Sequence, residues 1–425
     1  MSGPVEIHLT DEQATARLAQ TLAPWLAAGD TVLLDGPIGA GKTHFCRSLI
    51  QARLGQAEDV PSPTFTLVQT YQADVEIWHA DLYRLTHPDE AQELGLEDAF
   101  ATAICLVEWP DRLGRNLPAN PIRISLSAVG EGRLARIDPG NRPDLSAALR
   151  DRACLSFLQR AGWHTARRDP LSGDASARRY ERLYQGGATR LLMDAPPGQA
   201  DSVQDFVRID RHLLGIGLSA PRIDAEDMAN GFLLIEDFGD SVFASLMRDD
   251  PETERPLYAA AVDALIHLQF HAPAGSIPAL STNDWAQSAA MVLDWYRFAV
   301  TGDRIDAAPL LMALNDHLSR LATLPPVMIL RDFHAENLMW LPERADLQRV
   351  GLLDFQLAQM GQPGYDLVSL LQDARRDVAP EVETDMIRHF LTARSLTEAQ
   401  FLPGYACLGA LRALRILGIF ARLCL

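Results

Sequence analysis

The sequence predicts two folded domains in tandem, an α/β domain built around a phosphate-binding loop and an α+β domain that turns mostly helical in its second half. Three observations predict this. Gly36-Pro37-Ile38-Gly39-Ala40-Gly41-Lys42-Thr43 fits G-x-x-x-x-G-K-T and sits between a short buried strand, Thr31–Asp35, and a helix, His44–Leu54, that Gly55 would end. Asp138-Pro139-Gly140-Asn141-Arg142-Pro143-Asp144 is a turn-rich break. Far downstream, two buried strands, Val327–Leu330 and Val350–Leu353, each run into an acidic loop.

The chain of 425 residues is 48% hydrophobic and 22% charged, enough to bury two or three ordinary cores. Its formal net charge of −18 excludes a global basic field, so no strong direct nucleic-acid binding is expected. Five scattered cysteines, Cys46, Cys105, Cys154, Cys407 and Cys424, with no C-x-x-C, fit a reducing cytoplasm and no zinc site. No signal pattern and no apolar run of about 18 residues is present, so no membrane span is expected.

In the glycine loop, Gly36, Gly39 and Gly41 let backbone N–H groups turn toward an anion at a helix N-terminus. Lys42 is placed to reach β- and γ-phosphates and Thr43 to put a hydroxyl on Mg²⁺. Lys42 is the only lysine in the chain; every other basic side chain is arginine. It stands where a compact point charge fits and a planar fork does not.

Around the loop, Thr10-Asp11-Glu12-Gln13 is a capping-box pattern that opens a helix ending near Gly29. Thr64–Tyr71, Val75–Asp81 and Ala103–Glu108 read as strands, and Ile122–Val129 with Leu134–Ile137 as a hairpin about Gly130-Glu131-Gly132. Three polar segments fall at strand ends. Ser62-Pro63-Thr64-Phe65-Thr66 is a turn that reads either as a nucleotide-sensing switch or as a simple loop. Asp81 lies where a carboxylate serving Mg²⁺ would sit. Glu108 is a candidate to orient a catalytic water, Trp109 to stack on a base; a solvated strand end is the plainer alternative for each.

Together G-P-I-G-A-G-K-T, S-P-T-F-T, H-A-D-L-Y-R-L and E-W-P-D-R-L resemble the TsaE family, the ATPase of the tRNA threonylcarbamoyladenosine machinery, over roughly residues 5–140. The resemblance implies ATP hydrolysis driving a TsaB/TsaD-like complex, with Thr43 and Asp81 serving Mg²⁺, Lys42 the phosphates, and Glu108 and Trp109 hydrolysis or nucleotide contact. The expected organisation is a P-loop ATPase domain at 1–140, a linker at 141–150 and a second domain at 151–425, divided near residue 240 into an N-lobe and a helical C-lobe.

In the second domain, Asp144 is expected to cap a helix from Leu145 to Arg160. Strands Arg179–Tyr184 and Thr189–Asp194 follow the small-residue stretch Gly173-Asp174-Ala175-Ser176-Ala177, a weak candidate for a phosphate lid. The strand Gly231–Asp237 ends in Glu236-Asp237-Phe238-Gly239-Asp240, a candidate hinge that makes Glu236 a candidate nucleotide contact. The strongest signal is Arg331-Asp332-Phe333-His334-Ala335-Glu336-Asn337, with Asp354-Phe355 seventeen residues beyond the asparagine. D-x-x-x-x-N then D-F is the spacing of a kinase-like site: Asp332 would accept the acceptor hydroxyl's proton, and Asn337 and Asp354 would hold Mg²⁺ with hard oxygens. His334 reads best as a loop-packing imidazole, and Asp366 either braces this loop from below or simply caps its own helix.

G-D-A-S-A-R-R-Y, L-L-M-D-A-P-P, R-D-F-H-A-E-N-L-M-W-L and L-L-D-F-Q-L-A resemble the aminoglycoside phosphotransferase and choline kinase superfamily over about residues 150–425, most closely its AmgK-type anomeric sugar kinases. This implies a protein-kinase-like α+β fold, MgATP, and phosphorylation of N-acetylmuramate or N-acetylglucosamine at C1 in peptidoglycan recycling. Two features depart from the pattern. The strand expected to carry an ATP-contacting lysine reads Leu191-Leu192-Met193, which leaves Arg178 or Arg179 as the phosphate contact. The sequence also stops at Arg422-Leu423-Cys424-Leu425 inside an apolar-periodic helix, short of the family's usual extent. Two alternatives therefore stand beside a bifunctional ATPase and kinase: a pseudokinase scaffold regulating the ATPase, and a kinase of another amino-alcohol or aminoglycoside.

Overall fold

The computed structural model describes residues 3–56, 59–87, 89–171, 178–199, 202–321 and 324–425. They fall into two compact units, one of Met1–Ala200 with Ala225–Leu234, the other of Asp201–Asp224 with Ile235–Leu425.

The first unit is organised on a seven-stranded sheet of β1 (Val5–Leu9), β2 (Thr31–Asp35), β3 (Val68–Gln72), β4 (Glu76–Asp81), β5 (Ile104–Glu108), β6 (Ile122–Val129) and β7 (Gly132–Asp138), in the order β1-β7-β6-β2-β5-β4-β3. β2 is parallel to both β5 and β6, and β4 is parallel to β5. The parallel strands are apolar on both faces. Val32, Leu34, Ile104 and Leu106 join one buried cluster, while Leu33, Cys105 and Val107 join the cluster on the opposite face.

The expected segments form with some shifted ends. The first helix is Glu12–Leu22, and its cap is Asp11, not Thr10: the Asp11 carboxylate accepts from Ala14 N at 2.6 Å. It stops before Gly29 because Pro24 enters a tighter turn, Ala23–Trp25. The strand expected from Thr64 begins only at Val68, since Leu67 N closes a turn on Pro63 O at 2.6 Å with Leu67 at φ 65°. β1, whose side chains alternate between buried and half-buried, is an edge strand that sequence reading did not single out.

The helix Pro143–Arg160 starts earlier than expected. Proline supplies the fixed φ of a first turn, so Asp144 lies inside that turn, held by Arg142 at 2.8 Å, and does not cap it. This helix joins what the sequence divides. Leu145, Leu149, Phe157 and Leu158 share one buried cluster with Val5, Ile7 and Leu9 of the seven-stranded sheet and with Leu183, Leu192 and Phe232. The last three belong to a second sheet of β8 (Arg167–Pro170), β9 (Arg179–Gln185), β10 (Ala188–Asp194), β11 (Ile223–Asp227) and β12 (Phe232–Glu236), in the order β11-β12-β10-β9-β8. The small-residue stretch at 173–177 lies outside the described residues.

The second unit is mostly helical. Two short antiparallel ribbons lie among its helices: β13 (Val327–Ile329) pairs with β16 (Gln359–Gly361), and β14 (Leu338–Trp340) with β15 (Val350–Leu352). The helices Tyr365–Leu371 and Glu398–Cys424 pack on each other, and every residue of the former is buried. Among the described residues no helix is long and apolar enough to cross a membrane.

Two candidate nucleotide sites

The first site sits at the carboxyl ends of β2, β5 and β4. Leu34 pairs in register with Glu108, and Glu108 with Asp81, so the glycine loop and both carboxylates reach one edge of the sheet. Gly36, Gly39 and Gly41 have φ of 141°, 80° and 100°, the region open to glycine, and a Cβ on Gly36 would lie 2.4 Å from Leu126 O. The cradle thus has the shape an anion needs. Lys42 is buried, donates to Gly36 O at 2.6 Å and Pro37 O at 3.0 Å, and its ammonium lies 3.9 Å from the Trp109 ring centroid. Burial pulls its pKa down, while Glu108, Asp35 and Asp81 pull it up.

Thr43 Oγ donates to Glu108 Oε2 at 3.0 Å, and His79 Nε2 donates to Glu108 Oε1 at 3.0 Å. Asp81 is held apart from that pair: Thr64 Oγ donates to it at 2.5 Å, Ser62 Oγ at 3.3 Å and Tyr83 N at 3.1 Å. The Ser62–Thr66 turn therefore reaches a site carboxylate. Trp109 stands at φ 63° beside Tyr83, with ring centroids 5.1 Å apart. His79 is the group that sequence reading missed. The available signal was the two-residue spacing of His79 and Asp81, which sends both to one face of β4.

The second site is made by the two ribbons. Asn337 immediately precedes β14 and Asp354 follows β15, so the antiparallel pairing brings them together, and Leu353 N donates to Asn337 O at 3.0 Å. Asn337 Nδ2 donates to Asp332 O at 2.9 Å and to His334 Nε2 at 3.3 Å. With its nitrogen so used, Asn337 has its oxygen left for a cation. Arg331 at φ 74° and Asp354 at φ 54° bracket the loop in left-handed backbone. Asp366 braces it: its two carboxylate oxygens accept from Leu330 N at 2.6 Å and Arg331 N at 2.9 Å. Burial pushes the Asp366 carboxyl up to about 7, against the pull of those two N–H groups. His334 is buried, and burial lowers its pKa, as a packed neutral imidazole requires.

The Glu236 carboxylate is held by Arg344 at 2.6 Å and Arg222 at 3.3 Å, so the side chain ties elements of its own unit together. Arg178 is buried and Arg179 opens β9 opposite Asp194; both belong to the first unit, whereas Asp332, Asn337 and Asp354 belong to the second.

Comparison with known proteins gives both halves a family. The model described as threonylcarbamoyl adenosine biosynthesis protein TsaE matches residues 9–135, and that described as phosphotransferase enzyme family matches residues 168–404. The chain belongs to the phosphotransferase enzyme family and carries a TsaE family domain ahead of it. An N-acetylmuramate/N-acetylglucosamine kinase of Caulobacter vibrioides is 38% identical, over 64% of this chain and 86% of the relative. A kinase of the same description from Pseudomonas aeruginosa is 34% identical, over 60% of this chain and 76% of the relative. A tRNA threonylcarbamoyladenosine biosynthesis protein TsaE of Rickettsia conorii is 42% identical, over 36% of this chain and 85% of the relative. The TsaE domain is thus an ATPase-type domain, and the phosphotransferase domain is of an ATP-dependent kinase type.

Proposed function

We propose that the chain is bifunctional: the TsaE domain hydrolyses ATP in support of tRNA threonylcarbamoyladenosine formation with a TsaB/TsaD-like complex, and the phosphotransferase domain phosphorylates C1 of N-acetylmuramate or N-acetylglucosamine for peptidoglycan recycling. The kinase half is carried by the second ribbon, whose pairing sets Asn337 beside Leu353, the neighbour of Asp354, while the Asn337 amide donates to the Asp332 carbonyl.

In the TsaE domain, Gly36, Gly39 and Gly41 shape the anion cradle, and Lys42 exchanges its two loop carbonyls for phosphate oxygens. Thr43 and Asp81 are the oxygen donors for Mg²⁺, and Glu108, steadied by His79, orients the attacking water. Trp109 packs over Lys42 and shields it from solvent. In the phosphotransferase domain Asp332 aligns the sugar hydroxyl and takes its proton, and Asn337 and Asp354 hold the metal. MgATP, when bound, supplies the transferable phosphoryl group with its charge partly neutralised. His334 and Asp366 fix the loop and take no part in the transfer.

The test is to incubate the full chain with ATP, Mg²⁺ and a panel of amino sugars, amino alcohols and aminoglycosides, and to follow the products by phosphorus NMR. A glycosyl phosphate formed from N-acetylmuramate or N-acetylglucosamine supports the reading. Phosphorylation of another acceptor replaces the sugar assignment, and transfer to no acceptor overturns the kinase half.

A further inference from the structure

Behind the phosphate loop, Cys46, His79 and Glu108 meet with one ligand atom each within 4.8 Å of one another, all three buried. Among the described residues this is the one such cluster of possible metal ligands. The residues come from three elements: the helix Lys42–Leu54, β4 and β5. Period two explains the meeting. Ile77, Ile104 and Leu106 belong to the core cluster that also holds Cys46, so His79 and Glu108, in step with them along their strands, face the same helix. The His79 ring is fully buried and its Nδ1 has no hydrogen-bond partner.

We propose that this cluster is a site for a borderline-soft divalent cation, Zn²⁺ in type, whose binding holds the neighbouring ATPase site inactive. A thiolate, an imidazole and a carboxylate are the donors zinc takes, and three protein ligands leave a fourth position open. Mg²⁺, which wants hard oxygens, has no use for the sulfur. Glu108 and Asp81 lend the spot negative potential that favours a cation, and burial with those same charges keeps the Cys46 thiol protonated until a metal displaces the proton. Glu108 is the shared element, since its second oxygen accepts from Thr43. A cation drawing on Glu108 competes with that contact. The inhibitory half of the proposal rests on the reading of Thr43 and Glu108 as hydrolytic groups; binding itself does not. The absence of C-x-x-C gives no hint of such a site, because its ligands are assembled by the sheet and not by local spacing.

The experiment titrates the full chain with Co²⁺ and with Zn²⁺, and compares Cys46→Ser and Cys46→Ala, checked for folding by thermal melts. The wild type is expected to bind one equivalent with sulfur-to-cobalt charge-transfer absorption. Each variant should lose that absorption and bind Zn²⁺ more than about tenfold more weakly. X-ray absorption of the zinc-loaded wild type should show one sulfur among nitrogen and oxygen neighbours, a readout that needs no variant. Zn²⁺ should slow MgATP hydrolysis by the wild type and spare Cys46→Ser, whose basal rate is unchanged. No stoichiometric binding, or a sulfur signal that survives in both variants, overturns the site. Equal zinc inhibition of wild type and Cys46→Ser overturns the regulatory link. A chain that binds metal as described yet never hydrolyses ATP counts against the ATPase reading and for the site.

Discussion

The carboxamide of Asn230 holds both backbone groups of Glu6, accepting from its N–H at 2.8 Å and donating to its carbonyl at 2.7 Å, across 224 residues of sequence. Glu6 lies on the outermost strand of the ATPase sheet, where unpaired backbone groups would otherwise be exposed. Asn230 lies in the turn between β11 and β12 and is itself held by Asp227, which pairs with Arg160 at 2.8 Å. The following residue, Gly231, is at φ 75°, and a Cβ there would lie 2.0 Å from Ala195 O. The sheet of the phosphotransferase domain is thereby fastened to the edge of the TsaE domain within one compact unit.

Asn230→Ala is expected to destabilise the first unit by about 1–3 kcal/mol, because two half-buried backbone groups lose their partner at once. Urea unfolding followed by fluorescence measures it. A fragment beginning near Asp144 is expected to be poorly soluble, since it bares Leu145, Leu149 and Phe157. A midpoint for Asn230→Ala equal to that of the wild type would show that the bond adds nothing to stability.

Lys42→Ala should abolish hydrolysis by the TsaE domain while sparing phosphotransfer by the second, since Lys42 lies in one cradle only. Gly36→Ala should match it at the first site for a different reason, the 2.4 Å approach to Leu126 O at φ 141°. Both activities are measured in one preparation. Lost sugar phosphorylation in Lys42→Ala would mean that the two sites are coupled.

Thr43→Ala and Asp81→Asn should each raise the Mg²⁺ concentration needed for half-maximal hydrolysis in the presence of a TsaB/TsaD-like complex. Thr43→Ala should also free one Glu108 oxygen, and so show the larger loss in kcat. Unchanged Mg²⁺ dependence in Asp81→Asn would move the metal carboxylate to Glu108.

Asp332→Asn should lower acceptor phosphorylation about 10²–10⁴-fold while nucleotide binding stays near normal, because asparagine keeps the shape and cannot take the proton. Asp354→Asn should weaken MgATP binding as well, by removing charge from the metal donors. Nucleotide titration of the full chain carrying Lys42→Ala, with each substitution added, isolates the second site. Near-normal transfer by Asp332→Asn would favour a scaffold role for this domain.

Asp210 should make the protein less stable as pH rises from about 4 to 7. Neither of its carboxylate oxygens has a hydrogen-bond partner, its side chain is fully buried, and burial pushes it up to about 7. A carboxyl with a raised folded pKa binds more protons folded than unfolded in that window, so the stability it permits at low pH is lost on ionisation, on the order of 4 kcal/mol at most. Asp210→Asn should flatten this slope and melt higher at pH 8. A slope equal to the wild type's would place the pH dependence elsewhere.

The sequence by itself determined the elements whose signals are local. The loop from Gly36 to Thr43 announces itself because three of its positions take backbone that favours glycine and it sits between a strand and a helix. The spacing of Asp332, Asn337 and Asp354 is likewise a local signal, because a short antiparallel ribbon joins the segments that carry the last two and sets Asn337 beside Leu353. Tertiary structure decided what depends on neighbours far along the chain. His79 meets Glu108 only because β4 lies beside β5, Glu236 loses its carboxylate to Arg344 only through folding, and Asp366 reaches two N–H groups 35 and 36 residues upstream. The helix Pro143–Arg160 looked like the start of a second domain because its apolar face is written in sequence, while the partner of that face is not; packing gave it to both sheets. Local spacing fixes which backbone a segment adopts, whereas burial and hydrogen bonding fix what each side chain meets, and those terms are summed over the whole fold.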